Sequence, residues 1–189
     1  ASLELAASYK YFPRGTVFLV VVDPGVGSGR RALAADTGNH RFVAPDNGVM
    51  THVFRESSQQ FVVELTDRRY TRPTVSRTFE GRDRFAPAAA WIAKGVQLPA
   101  FGSQFSDYRL LGSPEAFLKN GQIVGVVLRI DRFGNITTNI SREMFISYAE
   151  RGPLEIKIGN TSIGRVVDTY SDIRAGEVCG LFGSNERLE

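Results

Sequence analysis

A chain of 189 residues with 42% apolar and 23% charged residues suits one globular domain or two small ones. Its net charge of +3 is small, and its lysines and arginines are scattered, which argues against a nucleic-acid partner. No apolar run reaches the roughly 18 residues of a membrane span, and the first residues do not read as a secretory leader. The single cysteine, Cys179, reads as a buried thiol, so a reducing, cytoplasmic setting is expected.

Residues 2–12 predict a helix ended by Pro13 and Gly15. A strand follows over 16–22. Its continuous apolar run predicts burial on both faces, and it stops abruptly at Asp23 before Pro24-Gly25-Val26-Gly27-Ser28-Gly29-Arg30-Arg31. Short strands are predicted at 32–36 and 41–44 around the turn Asp36-Thr37-Gly38-Asn39-His40, then a helix at 49–54 and a strand at 60–65. Residues 66–78 are polar, basic and non-periodic, as in a loop. Asp83 is a plausible N-cap for a helix running to Lys94, and Pro87 sets its start near 84–86. Residues 96–120 lack periodicity and read as a linker.

From Gly121 the texture becomes strand-rich. A long strand is predicted over 122–131, a turn at Phe133-Gly134-Asn135, and a strand over 136–140. Ser141 caps a helix over 142–150, a hairpin spans 154–169, and 176–181 is the last full strand. The expected architecture is an α/β N-terminal sheet domain (1–112), a linker (113–120) and a small C-terminal β-barrel domain (121–189). The chain starts in a helix and stops where a strand is beginning, so further segments are expected at both ends.

Three constellations could carry chemistry. Asp23 and Arg30 flank a turn at a strand end, where open α/β sheets bind ligands. An acid and a guanidinium there could handle a proton or a small anion. Equally, Asp23 could simply cap the turn. The spacing matches neither a phosphate loop nor a dinucleotide fingerprint. In Thr78-Phe79-Glu80-Gly81-Arg82-Asp83, Glu80 and Gly81 precede a helix N-terminus that could receive a polar ligand or merely be capped. In Asp131-Arg132-Phe133-Gly134-Asn135, an aromatic ring and an amide suit a purine, but the same residues make an ordinary turn. His40 and His52 have no partners at ligand spacing, and no metal site is expected.

Four blocks in order carry a resemblance: Val21-Val22-Asp23-Pro24-Gly25-Val26-Gly27-Ser28, Ala44-Pro45-Asp46-Asn47-Gly48, Thr78-Phe79-Glu80-Gly81-Arg82-Asp83, and Asp131-Arg132-Phe133-Gly134-Asn135 with Thr138-Asn139-Ile140. Together they resemble the S-adenosylmethionine (SAM) hydroxide adenosyltransferases, the adenosine-forming SAM hydrolases related to fluorinating and chlorinating enzymes. The resemblance implies a homotrimer with the substrate held between subunits. It implies attack of water, acting as hydroxide, on the ribose C5′ of SAM, giving adenosine and L-methionine without metal or other cofactor. Asp23 and Arg30 match two of the three water-activating positions. The third is histidine in the family and Glu80 here, a departure expected to weaken or retune hydrolysis. Phe133 and Asn135 match adenine-side positions, Asp131 the acid facing the methionine amino group, and Ser184 a position near its carboxylate. Gly81 stands where the halogenating branch has serine. The family pattern also has a Leu-Thr-Asp-Phe-Gly-like strand end before Ala1 and an adenine-lining strand after Glu189. A non-catalytic SAM- or adenosine-binding relative is the alternative. Halide transfer is disfavoured, because the Asp23 carboxylate would repel an anion.

Overall fold

The structure, a computed structural model, describes residues 1–189. It divides into two compact units, Ala1–Leu111 and Gly112–Glu189.

The first unit is built on a four-stranded mixed sheet of β1 (Val17–Leu19), β2 (Ala32–Asp36), β3 (Arg41–Pro45) and β4 (Phe61–Glu64), in the order β1-β3-β2-β4. Only β1 and β3 run parallel; β2 pairs antiparallel with both β3 and β4. The two-residue period of the strands sorts the core into two layers. Leu33, Ala35, Phe42, Ala44 and Val62 pack with Val49, Met50, Val53 and Phe54 on and around α2 (Thr51–Glu56), with Tyr9 joining them. Ala32, Ala34, Val43 and Val63 face the other way, onto Phe85, Ala88 and Ile92 at α3 (Ala86–Ala93). Three alanines in β2 let both layers approach closely. Helix α1 (Ser2–Ser8) continues as a 3₁₀ turn, Tyr9–Tyr11.

Three expectations need correction here. The 16–22 run is not buried on both faces. The regular strand ends at Leu19, one further bond joins Val20 N–H to the Val43 carbonyl at 2.9 Å, and Val21 and Val22 are 49% and 47% exposed. In this structure β1 pairs only with β3, and the run leaves the ladder after Val20. Asp83 does not cap α3. A single π-helical turn, Gly81–Phe85, precedes the helix, and Asp83 is buried inside it. Residues 98–101 are not linker in character: they form a 3₁₀ turn whose Leu98 and Phe101 lie in the core.

The second unit holds three antiparallel ladders: β5 (Phe117–Lys119) with β6 (Gln122–Val124), β7 (Val127–Ile130) with β8 (Ile136–Thr138), and β9 (Ile156–Ile158) with β10 (Thr161–Ile163). Asn120 and Gly121, both at positive φ (50° and 71°), form the tight turn joining β5 to β6. The long strand expected over 122–131 is broken at Gly125-Val126. A Cβ on Gly125 would stand 2.7 Å from Asn139 Oδ1, and that oxygen accepts the Val126 N–H at 2.7 Å in place of a ladder partner. Ser141 caps α4 (Arg142–Ala149) by accepting the Met144 N–H at 3.2 Å. Residues 176–181 do not form a strand, and the C-terminal residues join by single bridges, Val166 to Gly180 and Phe182 to Leu188. The ladders do not close into a barrel. Cys179 is partly exposed rather than buried. No helix is long and apolar enough to cross a membrane.

Candidate active site

Asp23 stands just beyond β1, and the neighbouring backbone is fixed from several directions. Asn47 Nδ2 donates to the Val22 carbonyl at 2.9 Å. The turn closes through Val26 N–H to the Asp23 carbonyl at 3.2 Å, and Arg77 Nη2 donates to the Gly27 carbonyl at 2.7 Å. Gly27 is needed here: its φ is +78°, and an added Cβ would lie 3.1 Å from the Arg77 carbonyl.

The turn returns Arg30 to Asp23 as a two-bond pair, Nε to Oδ1 at 2.8 Å and Nη2 to Oδ2. The same Nη2 also donates to Glu80 Oε2, and the guanidinium lies 5.1 Å from the Phe85 ring centroid. Glu80 Oε1 in turn meets Arg84 Nη2 at 3.3 Å. The side chains of Asp23, Arg30 and Glu80 are 6%, 7% and 14% exposed, so these three form a nearly buried network, with the half-buried Arg84 at its edge. Burial works against the Arg30 charge, but the Asp23 hydrogen bond and the Glu80 and Asp23 charges outweigh it and hold its pKa above the ordinary arginine value. Arg30 stays cationic, and the two carboxylates keep lone pairs that a water molecule could use.

Gly81 permits a close approach: a Cβ there would meet Val21 Cγ1 at 2.6 Å. Asp83 accepts from Arg82 Nε at 2.7 Å and from the Ser76 N–H at 2.9 Å, with Arg72 Nη1 at 3.5 Å. Those bonds, Arg82 first, lower its pKa to about 2. Asp83 therefore organises the loop before the π turn. A second clamp fixes the far side of the strand ends. Arg31 Nε reaches Asp46 Oδ2 at 3.0 Å and its Nη1 reaches Asp107 Oδ1 at 2.7 Å, while Asp46 Oδ1 accepts the Arg109 N–H at 2.7 Å.

The other substrate-side candidates, besides Gly81, lie in the second unit. Asp131 accepts the Phe133 and Asn135 N–H groups at 2.8 and 3.0 Å and Asn135 Nδ2 at 3.1 Å. Burial pushes its pKa up, but these donors outweigh that and hold it below the usual carboxylate value. Asp131 thus shapes its own turn. Phe133 is 76% exposed with the Arg132 guanidinium 4.8 Å from its ring centroid. Asn135 lines a mostly apolar cavity of about 460 Å³ together with Gly134, Tyr170, Cys179 and Leu188. Ser184 is exposed in the turn between Phe182 and Leu188. Neither histidine joins a site: His40 Nε2 bonds the Phe12 carbonyl at 3.1 Å, and His52 Nδ1 pairs with Ser2 Oγ at 3.0 Å. No group of three or more His, Cys, Asp or Glu side chains gathers as a metal-holding cluster.

Two residues of the site, Arg84 and Asn47, are not among the candidates that the sequence motifs single out. The Glu80–Arg84 spacing of four on a helical segment was the available signal for the first. Nothing local announces that Asn47 binds the Val22 carbonyl.

Two family profiles cover most of the chain. The SAM hydroxide adenosyltransferase N-terminal domain matches residues 1–102, and the C-terminal domain of the same family matches 125–189. The chain belongs to the SAM hydroxide adenosyltransferase family. It is 34% identical over 177 residues to an (R)-S-adenosyl-L-methionine hydrolase of Salinispora tropica, covering 92% of this chain and 66% of that protein. It is 36% identical over 197 residues to the hydrolase of the same name from Thermus thermophilus, covering 100% of this chain and 72% of that one. A solved structure of an uncharacterized conserved protein from Thermotoga maritima superposes with a TM-score of 0.89 at 34% identity, covering 99% of this chain and 73% of that one. The chain thus spans about two thirds of the length of these relatives.

Proposed function

We propose that this SAM hydroxide adenosyltransferase family chain hydrolyses S-adenosyl-L-methionine to adenosine and L-methionine. The reading rests on the nearly buried Asp23–Arg30–Glu80 network beyond β1, whose members the resemblance matches to the family's water-activating positions. Water forms the new O–C5′ bond as the C5′–S bond breaks. The bonding pair leaves on sulfur, which turns from sulfonium to neutral thioether, and the proton lost by water passes to a carboxylate of Asp23 or Glu80. Sulfonium needs no acid to depart, so the residues must align one oxygen behind C5′ and exclude bulk water. Alignment of this kind is worth on the order of 7–11 kcal/mol. Arg30 holds both acids in place and favours negative charge on the attacking oxygen.

Asp131, Phe133, Asn135, Ser184 and Gly81 are the proposed substrate-side positions, with the Asn135-lined cavity offered to the adenine. A homotrimer with a site shared between subunits and a cytoplasmic setting complete the proposal. Halide transfer fits poorly, because two carboxylates stand where an anion would have to wait.

A second reading is favoured by one specific observation: Arg30 Nη2 is engaged by both acids, which leaves that part of the guanidinium nothing to give a water molecule. On that reading the chain binds SAM or adenosine without turnover. Incubation with SAM followed by chromatography separates the two. Adenosine and methionine in equal amounts support the hydrolase, and saturable binding without product supports the binding relative.

A further inference from the structure

The basic stretch 66–78 serves the candidate site only as support, through Arg77 on the Gly27 carbonyl and Arg72 and Ser76 on Asp83, yet it borders a cavity of about 380 Å³ in the first unit. Four guanidiniums line that cavity, those of Arg68, Arg72, Arg77 and Arg84, and its one carboxylate is Glu80. They come from separate places: Arg68 from the 3₁₀ turn Arg68–Tyr70, Arg72 and Arg77 from the loop, and Arg84 from the π turn. Such a convergence of positive charge is costly unless something negative offsets it.

The existing partners do so incompletely. Arg72 shares Asp83 with Arg82, at the longer distance of 3.5 Å. Arg77 spends one nitrogen on the Gly27 carbonyl. Arg84 is the least satisfied: its contacts with Glu80 and the Leu65 carbonyl are long, 3.3 and 3.4 Å, and its Nε is buried with no hydrogen-bond partner. Arg68 is exposed. We infer that this cavity is a binding site for a small phosphate-class dianion, held by Arg68, Arg72, Arg77 and Arg84. Guanidinium forks match the oxygens of a tetrahedral oxyanion, and four of them make a dianion a better occupant than a single carboxylate.

The site touches the candidate active site through one residue. Arg84 also holds Glu80 Oε1, and Glu80 Oε2 is bonded to Arg30, so an anion on Arg84 competes with Glu80 for the same guanidinium. Occupancy and the state of the Asp23–Arg30–Glu80 network are therefore coupled. The binding itself does not depend on whether the chain turns over SAM.

The test titrates inorganic phosphate into the whole chain by calorimetry at constant ionic strength, with chloride as the background ion. Saturable binding at one site is expected. Arg68→Ala is expected to weaken it about tenfold, the loss of one charge-assisted contact. Arg14→Ala removes the same charge from an exposed position elsewhere in the unit and is expected to leave affinity unchanged. Glu80→Gln removes the competing carboxylate and is expected to tighten binding severalfold. The inference is overturned by absence of saturable binding, by Arg14→Ala weakening phosphate as much as Arg68→Ala, or by Glu80→Gln failing to tighten it.

Discussion

Arg30 meets Asp23 through two hydrogen bonds, Nε to Oδ1 at 2.8 Å and Nη2 to Oδ2, so the guanidinium plane is fixed relative to the carboxylate. Lysine cannot reproduce that fork. Arg30→Lys keeps the charge but loses the alignment, and adenosine formation should fall about 100-fold, in the range seen when one preorganised donor to a developing anion is removed. KM for SAM should change little if, as proposed, Arg30 serves the attacking water rather than the substrate. An unchanged kcat in the Arg30→Lys protein would contradict the assigned role.

Glu80, which the resemblance matches to the family's histidine, bridges Arg30 and Arg84. In this structure it takes up donors that a neutral histidine would leave to the water. Glu80→His should therefore raise kcat, read as adenosine released per enzyme at neutral pH. No gain on introducing histidine would remove Glu80 as the reason for any weak turnover.

Gly81 lies against Val21, with 2.6 Å between an added Cβ and Val21 Cγ1. Gly81→Ala should push Val21 aside and displace Glu80 next to it. The expected cost is about 1–2 kcal/mol of stability, with a loss of activity. Val21→Ala opens the space, so the double variant should recover most of both. A thermodynamic cycle of the four proteins checks this, and strict additivity would show that the contact is not felt.

Asp83 gives an acid-stability signature. Its pKa of about 2 lies below the ordinary 3.8, chiefly because of the Arg82 hydrogen bonds. A carboxylate depressed in the folded state contributes stability above its unfolded value and loses it as pH falls through the folded one. Urea midpoints should therefore drop between about pH 4 and pH 2. Asp83→Asn should be less stable than the parent above that window and should fall less across it. Parallel curves for the two proteins would rule the pair out as a source of the drop.

The parts of the fold that could be read from sequence were those set by local chemistry. The β2–β3 hairpin follows from its Asp36–His40 turn, α4 from its Ser141 cap, and the β9–β10 hairpin from Gly159-Asn160. Errors arose where distant residues decide the outcome. An apolar run such as 17–22 reads the same whether or not all of it is paired, and only the pairing shows that it leaves the ladder after Val20. The break after Gly125 depends on the Asn139 side chain, 13 residues beyond the Val126 N–H that it binds. Asp83 resembles a helix cap, but its partners Ser76 and Arg72 come from the preceding loop. In the site, the turn brought Arg30 back to Asp23 as its glycines suggested. Glu80 joined them through a 50-residue separation that no local pattern encodes.

The proposed reaction is attack on C5′ of SAM by a water oxygen held by the Asp23–Arg30–Glu80 network. The most direct measurement is the mass of the adenosine formed when the protein reacts with SAM in ¹⁸O-water. Adenosine carrying a single ¹⁸O at its 5′ hydroxyl is expected, with unlabelled methionine. Adenosine without the label, or no adenosine from a protein that binds SAM, would contradict it.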